Sequence, residues 1–85
     1  MPHYRFQIDN GVSHDPGTIL SLPDLAQARL EAARLLGDVV KEEARRLLET
    51  RQLRVIVTDG CDLILFELIV AAVDSPGAAP LLTSG

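Results

Sequence analysis

The sequence is poor in cysteine and in aromatic residues. Its 85 residues include one cysteine, Cys61, one tyrosine, two phenylalanines and no tryptophan. A single cysteine excludes an intramolecular disulfide and a zinc site built from several cysteines. Because aromatic residues are scarce, the core must consist mainly of Leu, Ile, Val and Ala. A chain of this length forms one small domain with a thin core.

Positive charge is also in the minority. The chain has 8 Lys and Arg residues against 12 Asp and Glu residues, which gives a net charge of −4 at pH 7. An acidic chain repels a phosphate backbone, so we expect no nucleic-acid partner. The one basic concentration, Arg45, Arg46, Arg51 and Arg54, falls near the end of a predicted helix, where cations offset the helix dipole.

Long apolar segments are missing as well. The longest, residues 63–73, contains Glu67 and is too short to span a bilayer. The amino-terminal residues lack the apolar region of a secretory signal. We therefore expect a cytoplasmic protein with no membrane partner.

The first part of the chain predicts two strands. Residues 3–8 alternate between polar and apolar side chains, which is typical of a half-buried strand. Residues 9–11, Asp-Asn-Gly, favour a hairpin turn because Asn and Gly tolerate positive φ. Residues 12–20 predict a short edge strand that is interrupted by a turn at residues 15–17, Asp-Pro-Gly.

The middle of the chain predicts a helix. Residues 22–50 carry an apolar stripe near the 3.6-residue period, which favours one long helix, with two shorter helices as the alternative. Ser21 and Asp24 have the spacing of a capping box, and Pro23 is tolerated in the first turn. Gly37 lies in the middle of this segment, where it marks close packing or a bend.

Two further strands complete the predicted fold. They span residues 53–59 and 63–73, and the Asp59-Gly60 pair between them favours a type I′ turn. The order β-β-α-β-β predicts an α+β fold of two layers, with one mostly antiparallel sheet and one long helix packed on one face. We expect residues 1–73 to form a single domain and residues 74–85, rich in Pro and Gly, to form a disordered tail.

The face of the sheet away from the helix is the candidate site. Glu67 resists burial, so its side of the last strand should lie away from the helix. The side chains expected to face the helix are Tyr4, Phe6, Ile8, Val55, Val57, Ile64, Phe66, Leu68 and Val70. The possible interaction surface on the opposite face consists of Ile56, Leu65, Ile69, Arg5 and Gln7. Uncovered apolar residues favour an interaction surface; alternatively, the tail covers them or they simply face water.

Catalytic and metal-binding patterns are weak. His14 and Asp15 could form a base and its orienting carboxylate, but no serine or cysteine has a recognisable nucleophile motif, and a histidine in a polar turn is usually solvated. His3, His14, Asp9 and Asp15 could meet at one end of the first hairpin, but their spacing matches no known metal site. We therefore expect no catalytic residue, no metal and no cofactor, and hence no enzyme.

Several short motifs resemble a known group of proteins. The segments M-P-H-Y-R-F-Q-I-D-N-G, D-P-G-T-I-L-S-L-P-D-L-A-Q-A-R and V-I-V-T-D-G resemble a family of short, uncharacterised proteins, chiefly from alphaproteobacteria, which open with M-P-x-Y-x-F and are classed as a domain of unknown function. The resemblance covers about residues 1–68 and implies no activity, cofactor or catalytic residue. The matching residues are Met1, Pro2, Tyr4, Phe6, Gly11, Asp15, Gly17, Leu22, Asp24, Ala28, Ala32, Val57 and Asp59.

These observations favour a non-enzymatic protein-interaction module. We expect it to form a homodimer, or to bind another protein, through the open face of the sheet or through its last strand. The alternative is a regulator that resembles the HicB-type antitoxins, which binds a partner protein and could contact DNA as a dimer.

Overall fold

The computed structural model describes residues 1–10 and 16–75. Its elements are β1 (His3–Asp9), β2 (Thr18–Ser21), α1 (Leu25–Glu42), α2 (Ala44–Thr50), β3 (Gln52–Thr58) and β4 (Ile64–Ala71). The α+β class is confirmed, but the predicted β-β-α-β-β order is wrong because two helices stand between β2 and β3. His14, Asp15 and the predicted tail from residue 76 onward lie outside the described residues.

The four strands form one antiparallel sheet in the order β2-β1-β3-β4. The two central strands, β1 and β3, come from opposite halves of the chain and are paired from Arg5 opposite Thr58 to Asp9 opposite Arg54. The helices carry the chain from β2 across β1 to β3, which pairs with the other edge of β1. Each hairpin therefore contributes one central strand and one outer strand.

One face of the sheet packs against α1. Phe6, Val55 and Val57 have almost no exposed surface, and they meet Ala28 and Ala32 on the helix. These alanines are small enough to let the helix approach the sheet closely. The rest of the buried core consists of Tyr4, Leu36, Val39 and Leu53.

The helix begins three residues later than predicted. Ser21 is the last residue of β2, and Asp24 is the N-cap of α1, where its Oδ1 accepts a hydrogen bond from the Gln27 N–H at 2.9 Å. A capping carboxylate satisfies one of the free N–H groups of the first turn and favours the positive end of the helix dipole. The predicted capping role of Ser21 is therefore wrong.

The expectation of one long helix is also wrong. α1 ends at Glu42, Glu43 leaves helical geometry with φ −121° and ψ 37°, and α2 begins at Ala44. Val39 is the last buried residue of the α1 stripe, and a continuing helix would place Glu43 next on that stripe, toward the core. The break keeps this carboxylate in solvent and still lets Leu47 pack against the core. Gly37 does not mark the bend.

The second hairpin differs from the predicted turn. The positive φ lies at Asp62, at 63°, rather than at Gly60, so the predicted type I′ turn does not form. The Asp59 Oδ1 accepts hydrogen bonds from the N–H groups of Cys61 and Leu63, at 2.8 and 3.0 Å, and fixes the loop. This geometry is that of a longer hairpin loop, in which a left-handed residue follows a turn.

The chain remains attached to the sheet just beyond β4. The Ala72 N–H donates to the Arg51 carbonyl at 2.9 Å, and Arg51 forms an ion pair with Asp74 at 3.0 Å. Neither α1 nor α2 in the described part of the chain is long and apolar enough to cross a membrane.

Candidate interaction surface

The side of the sheet opposite α1 is called the far face. Directly opposite residues of an antiparallel pair share a face, so the strand registers define its members. They are Ile19 and Ser21 of β2; His3, Arg5, Gln7 and Asp9 of β1; Gln52, Arg54, Ile56 and Thr58 of β3; and Ile64, Glu67, Ile69 and Ala71 of β4. Neither helix covers this face among the described residues.

Arg54 links three strands across the far face. Its guanidinium contacts the Asp9 carboxylate on β1 at 2.6 Å and the Glu67 carboxylate on β4 at 3.1 Å. The hydrogen bond with Asp9 is the main cause of a raised pKa of Arg54, while burial acts in the opposite direction. The sequence contained a signal for this network, because period-2 alternation places Arg54 on the same face as Ile56.

Two side chains at the centre of the far face are buried without a helix above them. Ile56 is only 7% exposed and lies opposite Gln7 on one side and Glu67 on the other. Thr58 is also buried, and its hydroxyl has no hydrogen-bond partner within residues 1–10 and 16–75. The expectation that Ile56 is uncovered is therefore wrong.

A β-bulge changes the faces at the start of β4. Val57 pairs with Phe66, but the next residue, Thr58, pairs with Ile64, so Leu65 has no opposite residue. Leu65 consequently packs against the core cluster, while Ile64 is 55% exposed on the far face. The expected positions of Leu65 and Ile64 are both wrong, because strict alternation along β4 ends at the bulge.

Arg5 and Gln7 lie on the far face of β1, as the alternation predicts. The Arg5 guanidinium is 3.6 Å from the Asp62 carboxylate, in an exposed ion pair that ties β1 to the second hairpin loop. Both side chains pass close over Gly17, where an added Cβ would lie 2.8 Å from the Gln7 Cγ and 2.9 Å from the Arg5 Cγ. A glycine is therefore needed at this position.

The exposed apolar residues of the far face lie on its two outer strands. Ile69 is 54% exposed, and it is the only member of the predicted apolar trio, Ile56, Leu65 and Ile69, that is exposed. Ile19 on β2 and Ile64 on β4 are each 55% exposed and were not predicted. The sequence gives no strand order and no sign of the bulge, so neither residue could be assigned to this face.

β4 presents a free backbone edge. The Ala72 N–H donates to the Arg51 carbonyl, and the register continues with Val70 opposite Leu53 and Leu68 opposite Val55. Because hydrogen-bonding direction alternates along an antiparallel strand, the N–H and C=O groups of the intervening residues point away from β3. These outward residues are Glu67, Ile69 and Ala71. No other strand in the described part of the chain pairs with them.

The opposite edge of the sheet is much shorter. β2 has only 4 residues, and Pro16 precedes it closely in the chain. Its outward groups belong to Ile19 and Ser21, because the Leu22 N–H donates to the Pro2 carbonyl on β1. Short strands and nearby prolines protect an edge against unwanted pairing. β4 has 8 residues, no proline and one charged side chain, which Arg54 already binds.

The described residues offer little for metal or small-molecule chemistry. A cavity of about 60 Å³ lies at one end of the sheet and is lined by His3, Tyr4, Arg5, Ile19, Asp59 and Gly60. No group of three or more His, Cys, Asp or Glu side chains that could hold a metal ion occurs within residues 1–10 and 16–75. Cys61 is exposed in the second hairpin loop, and the pair His14 and Asp15 lies outside the described residues.

The fold and its surface define a small two-layer α+β domain whose sheet has one protected edge and one open edge. A family model matches residues 3–71, and the chain belongs to that family, described as Domain of unknown function (DUF6894). The expectation of a domain of unknown function is therefore confirmed. No curated protein and no solved structure matches the chain.

Proposed function

We propose that this protein is a non-enzymatic protein-interaction module that binds an added β-strand along the free edge of β4. The observation that carries this proposal is the outward row of backbone groups at Glu67, Ile69 and Ala71. Strand addition uses such a row for affinity and the adjacent side chains for specificity. The far face contributes exposed Ile69 beside this edge, and the Arg54 network with Asp9 and Glu67 links β4 to the two central strands.

The contrast between the two edges supports this choice of surface. Proteins usually shorten, charge or cover a free edge, because an open one pairs readily with other chains. β2 is protected in this way, and β4 is long and apolar. A strand left open in a protein that protects its other edge is best explained by a partner.

Ile69→Pro is the variant that tests the proposal. The Ile69 N–H points away from β3, so proline removes an edge donor without removing a hydrogen bond of the sheet, and proline is tolerated at such edge positions. Ile69→Val is the matched control, because it keeps both the N–H and the branched side chain. Association of the full chain is measured by sedimentation velocity and by quantifying proteins that co-purify with it.

We expect the wild type and Ile69→Val to associate and Ile69→Pro to lose the association, with all three showing the same far-ultraviolet circular dichroism. Leu68→Pro provides a contrast, since it removes a hydrogen bond to β3 and should destabilise the fold by about 1–3 kcal/mol. Association that persists in Ile69→Pro, or a wild type that associates with nothing, would overturn the proposal.

Two broader properties belong to the same proposal. We place the module in the cytoplasm, which fits a chain whose one cysteine is exposed and has no second cysteine to pair with. We also propose that the family is chiefly alphaproteobacterial and opens with M-P-x-Y-x-F, a pattern that Met1, Pro2, Tyr4 and Phe6 of this chain match.

A further inference from the structure

We infer that the strand which binds to β4 is the β4 strand of a second copy of this chain, antiparallel and related by a twofold axis at Ile69. This inference rests on the proposed function, because it names the partner of the same edge. It specifies a symmetric dimer in which the two sheets become one continuous sheet.

The backbone pattern of β4 is symmetric about Ile69. Its outward residues, Glu67, Ile69 and Ala71, are evenly spaced around that residue. A twofold axis there places Ile69 opposite the partner's Ile69 and Glu67 opposite the partner's Ala71. All the outward residues of the regular part of β4 then form hydrogen-bonded pairs, in which two residues exchange both N–H and C=O bonds.

The side chains are compatible with this register. On the far face, the two half-exposed Ile69 side chains cover each other. Glu67 meets a small alanine, so its carboxylate can stay on Arg54. On the helix face, Leu68 lies opposite Val70 in a closely spaced pair, and both already pack at the margin of the core.

The registers displaced toward the bulge, with the axis at Glu67 or at Leu68, are worse for identifiable reasons. An axis at Glu67 places two carboxylates directly opposite each other, which is destabilising. An axis at Leu68 places the Glu67 of each copy opposite the Ile69 of the other, and it places Ala71 opposite the bulged Leu65. At the usual spacing of antiparallel strands, the two Glu67 positions are then only about 8 Å apart. With the axis at Ile69, the same geometry separates the two Glu67 positions by about 14 Å.

Cysteine crosslinking tests the register in the full chain with Cys61→Ser as background. With the axis at Ile69, the Cα atoms of an opposite hydrogen-bonded pair are about 5.5 Å apart, within the range that a disulfide spans. We expect Ile69→Cys to form a disulfide-linked dimer on mild oxidation at least about tenfold faster than Leu68→Cys, whose copies would be about 8 Å apart.

A mixture of two variants provides an internal control. Glu67→Cys chains mixed with Ala71→Cys chains should crosslink to each other, and neither should crosslink to itself. Rapid self-crosslinking of Leu68→Cys or Glu67→Cys instead of Ile69→Cys would overturn the register.

The outcome also separates this inference from the proposed function. If the purified chain sediments as a monomer, and another protein binds the wild type but not Ile69→Pro, the second-copy inference is overturned and the proposed function stands. A dimer that forms equally well in Ile69→Pro would overturn both. A dimer that is lost in Ile69→Pro and crosslinks through Ile69→Cys supports both.

Discussion

Replacing Gly17 with alanine should destabilise the fold strongly. Gly17 has φ 99°, a region that residues with an L side chain rarely adopt, and the new Cβ would lie 2.8 Å from the Gln7 Cγ, 2.9 Å from the Arg5 Cγ and 3.1 Å from the Phe6 carbonyl oxygen. The two Cγ atoms belong to the stems of their side chains rather than to their flexible ends. The Phe6 oxygen belongs to the backbone of β1 and cannot move independently of the sheet.

The expected loss can be estimated from these contacts. The positive φ alone costs about 1–2 kcal/mol for a residue with a Cβ. Crowding by groups that can only partly relax adds typically about 1–3 kcal/mol. We therefore expect Gly17→Ala to lower the free energy of unfolding by about 2–5 kcal/mol. At about 4–8 °C per kcal/mol for a domain of this size, the melting temperature should fall by at least about 8 °C.

Gly37 supplies a matched control for the same substitution. It lies on the exposed side of α1, and nothing stands within 4 Å of an added Cβ. Gly37→Ala should therefore stabilise the protein by up to about 1 kcal/mol, because alanine favours a helix interior more than glycine. Urea unfolding at equilibrium measures both variants, and a second Gly17→Ala measurement in a Gln7→Ala background isolates the contribution of the Gln7 stem.

The reasoning would be refuted by a Gly17→Ala variant that unfolds within about 0.5 kcal/mol of the wild type, which is the range of an unconstrained surface position. A loss that is unchanged in the Gln7→Ala background would show that the conformation of Gly17 and its contacts with Arg5 and Phe6 account for the effect. A smaller loss in that background would show that the Gln7 stem contributes to it.

Two further predictions concern the far face. Thr58→Val should raise the free energy of unfolding by about 1 kcal/mol in urea titrations, because it replaces a buried hydroxyl that has no partner among the described residues with a methyl group of similar size; a destabilised variant would mean that the hydroxyl is hydrogen-bonded in solution. Arg54→Met should lower the melting temperature more than Arg5→Met, because Arg54 bonds two carboxylates and Arg5 makes one longer, exposed pair. A group whose pKa is raised by folding stabilises the protein at every pH below its ordinary pKa. The difference in melting temperature between the wild type and Arg54→Met should therefore be equal at about pH 7 and pH 10. A difference that disappears at pH 10 would contradict the assignment to Arg54.

The sequence predicted the strands well where alternation is uninterrupted. Tyr4 and Phe6 on β1, and Val55 and Val57 on β3, are buried against the helix as expected. The same rule failed in β4, because a single unpaired residue, Leu65, exchanges the faces of the residues before it. Nothing in a run of Leu and Ile marks a bulge, since every residue in it suits either face.

The helical segment contained a sign of the helix break that hydrophobic periodicity alone does not take into account. Its stripe of buried residues leads from Val39 to Glu43, and a charged residue at a core position favours a break. The strand order depends on the pairing of β1 with β3, which are far apart in the sequence, and no local sequence pattern predicts that pairing. The free edge of β4 could be inferred only after that order and the Ala72 hydrogen bond were known.

The unequal edges of the sheet also determine how far assembly can proceed. A dimer joined through β4 has β2 at both outer margins, and β2 offers outward groups only at Ile19 and Ser21. In the proposed dimer, pairing would occupy the one open edge of each chain. Growth would then stop at two chains, because only the short β2 edges would remain for a third, and a strand that could otherwise seed fibrils would produce a closed, finite particle.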